Sequence, residues 1–135
     1  MRMLNRGIAL LTVLALTGVA TAASPYQGSY TGTFSVKGIS ADVPDQDGKL
    51  AIKMSEDGKI TGTVDNRQLK QQGKVTGTIT DDGEIAVTIQ YPDQDASTVS
   101  GSVTSPKDGR IKGTLTQDLG KNGTVVVKIE LKKGD

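Results

Sequence analysis

The hexapeptide K-I-T-G-T-V at residues 59–64 returns as K-V-T-G-T-I at residues 74–79, and the pattern apolar-x-Gly-x-apolar recurs around Gly32, Gly101 and Gly113. In an extended chain successive side chains point to opposite faces. Ile60, Gly62 and Val64 then share one face, and Thr61 and Thr63 share the other. A helix would scatter the same residues around its circumference. The repeated alternation commits the chain to β-strands with one apolar and one polar face.

Period-two alternation bounded by turn residues predicts eight strands, at residues 28–37, 49–55, 59–65, 73–80, 84–91, 97–104, 110–117 and 124–132. Glu56-Asp57-Gly58 and Asp81-Asp82-Gly83 are tight hairpin signals, and Ser105-Pro106-Lys107-Asp108-Gly109 is a strong turn. No convincing helical stripe appears after residue 22. Short links between sequential strands make an antiparallel meander, and eight strands suffice to close a small up-and-down barrel. The predicted class is therefore all-β, an eight-stranded antiparallel up-and-down meander closed into a small barrel, with a two-sheet β-sandwich as the alternative. The links after the second, fourth and sixth strands read as tight and share one end. Those after the first, third, fifth and seventh read as longer and share the other.

Glycine is a poor strand former, so its repeated use on an apolar face requires a reason. One is geometric, because it lets a coiled sheet bend or a neighbouring wall approach. The other is functional, because the missing side chains would leave a central cavity. Under the second reading the cavity candidates are Tyr30, Gly32, Phe34, Gly62, Gly77, Tyr91, Gly101 and Gly113. The opposite strand faces carry Thr31, Thr33, Thr61, Thr63, Thr76, Thr78, Ser100, Lys112 and Thr114. A lipid-spanning barrel needs the inverse, with apolar residues outward and aromatic girdles, so a soluble barrel is expected.

Gly28-Ser29-Tyr30 with Thr31-Gly32-Thr33, and Gly58-Lys59-Ile60-Thr61-Gly62-Thr63, resemble the first-strand and D-G-x-x-T-G-T elements of calycin-type barrels, the avidins and lipocalins. The resemblance extends along most of the chain as a strand pattern and along a few residues as a motif. It implies an up-and-down barrel with an interior ligand. The chain has no Trp, whereas avidins wall their biotin site with Trp, and no ligand-binding residue is carried over.

Residues 1–22 read as a secretory signal peptide. Arg2 and Arg6 form a basic start, Gly7 to Ala20 an apolar run, and Ala20-Thr21-Ala22 a small-x-small cleavage site near Ala22. The expected location is secreted or periplasmic, with residues 23–135 forming a single domain and no membrane span in the mature form. Loss of Arg2 and Arg6 takes the formal charge from +1 to −1. Near-neutrality without an aromatic platform argues against nucleic acid. The absence of Cys leaves stability to the core alone.

With neither His nor Cys, the chain has no Ser–His triad, no thiol nucleophile and no His-based metal site. No enzyme activity and no cofactor are expected, since most of the acids stand in turns, where Asp serves the backbone. One oddity remains. Pro44-Asp45-Gln46-Asp47 and Pro92-Asp93-Gln94-Asp95 are identical tetrapeptides after the first and fifth strands. Asp45, Asp47, Asp93 and Asp95 on one rim are candidates for Ca²⁺ or a cationic partner, against the plainer reading of solvated turns.

These features point to an exported monomer that holds a small apolar or amphipathic ligand inside a barrel. Two alternatives come from other classes. One is a protein-binding or protease-inhibitor-like envelope module acting through its long-loop end, and the other is a structural surface protein.

Overall fold

A computed structural model describes residues 23–134; the signal peptide read from residues 1–22 lies outside the described residues. Eight strands follow in order: β1 Gly28–Val36, β2 Gln46–Met54, β3 Lys59–Asn66, β4 Gln71–Ile79, β5 Glu84–Gln90, β6 Ser97–Val103, β7 Arg110–Asp118 and β8 Thr124–Lys133. Each pairs antiparallel with its neighbours in sequence, and β8 pairs with β1, so the sheet is a closed barrel. The meander and the closure expected from the alternation are both present, and the sandwich alternative is set aside. Among the described residues no helix is long and apolar enough to cross a membrane.

The inward face is the apolar one in every strand. Ile60 and Val64, Val75 and Ile79, Ile85 and Val87, and Ile111 and Leu115 are all buried. The Thr residues between them lie mostly outside. Closure removes both sheet edges, so no backbone ladder is left open to another strand.

The inward glycines stand beside large residues on the adjacent strand. Gly62 is registered with Ile52 and Val75, Gly77 with Ile60 and Val87, and Gly101 with Ile85 and Leu115. A Cβ on Gly77 would meet the Ala86 carbonyl oxygen and come within 2.7 Å of the Val87 Cα. Gly62 and Gly101 are confined in the same way by β2 and β7. The geometric reason for these glycines is therefore the one realised. They let strands approach and let a neighbouring Ile, Leu or Val lean across, as the alternation of small and large residues does in small barrels.

The two ends of the barrel differ. At one end lie the links 55–58, 80–83 and 104–109, and the N-terminal segment folds across the opening against the first two. Ser24 N–H donates to the Glu56 carbonyl (2.9 Å), and Tyr30 Oη donates to the Tyr26 carbonyl (2.7 Å). Tyr26 is 1 % exposed, belongs to the same buried cluster as Tyr30, Met54 and Ile111, and so plugs this end. The opposite end carries the links 37–45, 67–70, 91–96 and 119–123. The expected contrast in link length is only partly realised. Link 67–70 is as short as the tight turns, and link 104–109 is as long as 91–96. The asymmetry resides mainly in 37–45, which is braced by a Ser40–Val43 bridge.

Candidate functional site

Inside the barrel is a cavity of about 320 Å³ that opens at the end carrying the link 37–45. Its depth is walled by Leu50, Ile52, Val64, Val87, Val99 and Ile129, with Met54 and Ile60 deepest. Such a wall offers dispersion contact and no hydrogen bond, so it favours apolar chains over water. Val43 and Pro44 from the long link contribute to the lining near the mouth.

The mouth is polar because strand periodicity continues past the apolar run. Asn66 falls in phase with Ile60, Gly62 and Val64, and Gln46 with Leu50, Ile52 and Met54. Gln117 is in phase with Ile111, Gly113 and Leu115, and Ser97 with Val99 and Val103. All four face inward and line the cavity at the same end. At the closed end the inward residues Tyr30, Met54, Ile79, Ile85, Val103 and Leu131 are all uncharged and buried, and Lys133, in phase with Leu131 at the very end of β8, is exposed.

Asn66 is the best fixed of these groups. It is 3 % exposed. Its Nδ2 donates to Gln46 Oε1 (2.9 Å) and to Tyr91 Oη (3.3 Å), while its Oδ1 accepts from Leu69 N–H (3.0 Å). Tyr91 reaches Asn66 by laying its ring over Gly73, where a Cβ would come within 2.9 Å of Cδ1. Burial holds the Tyr91 phenol above the usual tyrosine range, partly offset by the Asn66 hydrogen bond. The phenol is therefore a neutral donor and acceptor near pH 7. Gln71, directly opposite Asn66 across the β3–β4 pair, has a buried Oε1 with no hydrogen-bond partner.

Of the eight cavity candidates read from the sequence, Phe34 and Tyr91 line the cavity. Tyr30 belongs to the plug at the closed end, and Gly32, Gly62, Gly77, Gly101 and Gly113 are outside the lining, pressed against neighbouring strands. Missing from that set were Gln46, Asn66, Ser97 and Gln117. Their signal was the in-phase position at the end of an apolar run.

The four rim carboxylates do not converge. Asp47 accepts from Arg67 Nε (2.9 Å) and Nη2 and from Gln68 Nε2 (3.1 Å), and these bonds hold its carboxyl below the usual range. Asp45 Oδ1 accepts from Gly38 N–H (2.6 Å). Asp93 occupies a turn with φ 61°, and Asp95 is exposed beside it. Among the described residues no group of three or more acidic side chains is placed to hold a metal ion. The two glutamines of the repeated tetrapeptide both border the cavity, Gln46 as a half-buried strand residue in phase with Leu50 and Gln94 as an exposed residue of the link 91–96.

No protein-family model matches the chain, and no curated protein matches its sequence.

Proposed function

We propose that this protein is an exported binding barrel that takes up a small apolar or amphipathic ligand through the end carrying 37–45 and holds it in its interior. The role is binding rather than catalysis, and the N-terminal segment supplies export to the periplasm or the medium. The observation that carries the reading is the cavity, apolar along its depth and rimmed by hydrogen-bonding groups at its mouth. Its volume lies at the lower end of ligand sites, which run from about 300 to 1,000 Å³.

Native mass spectrometry tests it, on the full chain expressed in a bacterial host and recovered from the envelope fraction without detergent. A discrete adduct that is lost on denaturation supports the reading and supplies the ligand's mass. A bare protein mass, together with no thermal shift from any small amphiphile, removes it.

A second reading, a module that meets another protein through the same end, draws on Ile39 and Leu69. Both are exposed large apolar residues on its links. It predicts that Ile39→Ser abolishes partner capture and leaves ligand adducts unchanged.

A further inference from the structure

Among the described residues, those that line the cavity include no Lys, Arg, Asp or Glu. The polar groups at its mouth are amides and hydroxyls: Gln46, Asn66, Tyr91, Gln94, Ser97 and Gln117. Three of them, Gln46, Asn66 and Tyr91, are already joined by the hydrogen bonds that Asn66 donates. From this charge-free lining we infer that the barrel selects uncharged amphiphiles, short-chain alcohols and their like, and rejects carboxylates of the same length. The inference rests on the interior-binding reading and names its ligand class.

Two physical steps carry it. The first concerns length. At about 30 Å³ for each water-sized group, about 320 Å³ admits about ten heavy atoms. An eight-carbon alcohol is therefore enclosed together with its head group. The second concerns charge. An ionised head group drawn into the mouth loses water and gains no counter-charge, and unpaired charge is the costliest group to bury. A hydroxyl there loses little, because amides and a phenol both donate and accept.

Isothermal titration calorimetry of the full exported chain at pH 8, with octan-1-ol and octanoate as probes, tests the inference. The carboxylate is fully ionised at that pH. Octan-1-ol is expected to bind at least about tenfold more tightly, a difference of about 1.4 kcal/mol. Gln117 is half-buried at the mouth. The variant Gln117→Lys is expected to narrow or reverse that preference by supplying the missing counter-charge. Octanoate binding the parent chain as tightly as octan-1-ol would overturn the inference and leave interior binding intact. Failure of both probes to bind would overturn the inference as well, and only with a bare protein mass in the native spectrum and no thermal shift from any small amphiphile would it also remove the interior-binding reading.

Discussion

Gly77 shows how much a single side-chain atom matters in a barrel this narrow. Its Cβ position is taken by the β5 backbone at Ala86 and Val87, which cannot yield without breaking the ladder. Gly77→Val is expected to cost about 1–3 kcal/mol, read from urea unfolding, and an unchanged midpoint would mean that β4 and β5 stand further apart. Tyr30 carries a second residue-scale prediction. Burial, and then the neighbouring Tyr26, hold its phenol above the usual tyrosine range. A proton held more tightly in the folded state adds stability that is complete below the unfolded pKa and is lost as pH rises through the folded one. Tyr30→Phe removes the bond to the Tyr26 carbonyl and is expected to cost about 1 kcal/mol at neutral pH. That deficit should shrink above about pH 10, where the parent chain alone must give up this buried proton. Thermal melts from pH 7 to 11 on both proteins would show it. A deficit that stays constant would place the phenol in water.

Among the strands, β7 and β8 contain a conflict that the rest of the sheet avoids. Arg110 and Lys132 are direct partners on the outward face, and like charges directly opposite are destabilising. One register step inward, Lys112 is opposite Glu130, with Nζ 3.8 Å from the carboxylate. Lys132→Glu is therefore expected to raise stability by a few tenths of a kcal/mol up to about 1 kcal/mol, visible as a higher melting temperature at low salt that fades at high salt. A lower melting temperature at low salt would show that Lys132 is held by groups other than Arg110. The strands themselves were legible in the sequence because alternation is a local signal. What was lost lay at their ends. β2 begins at Gln46 rather than Lys49, since Gln46 and Gly48 face inward without being apolar while the ladder to Val36 and Phe34 continues. The polar ring at the mouth was hidden for the same reason. Asn66 reads as the start of a polar connection unless the phase of Ile60, Gly62 and Val64 is carried one step further. The glycines misled in the opposite way. A strand's own pattern gives the face of Gly62 or Gly101, but what fills the space above it depends on register with the next strand.

At the scale of the whole molecule, the barrel is polarised along its axis. One end is sealed by Tyr26 and an apolar layer, and the other is open and lined with uncharged polar groups. A cavity kept open in a core forgoes dispersion contacts that a filled core would gain, so it represents stability given up for binding. That trade is testable at Val99, which lines the cavity between Val87 on β5 and Gln117 on β7. Val99→Phe would direct a ring into the open volume. Stability is expected to hold or rise by up to about 2 kcal/mol, the range of cavity-filling changes, while octan-1-ol binding is lost. Urea unfolding and calorimetry on the same preparation read the two effects. A destabilisation of about 1–3 kcal/mol would mean that the core is already filled at Val99, since that is the penalty for overpacking. Retained binding with unchanged stability would place the ligand outside the barrel, on the rim formed by 37–45 and 119–123. The expected pair, a barrel at least as stable and no longer able to bind, arises only if the empty space beside Val99 is the space the ligand uses.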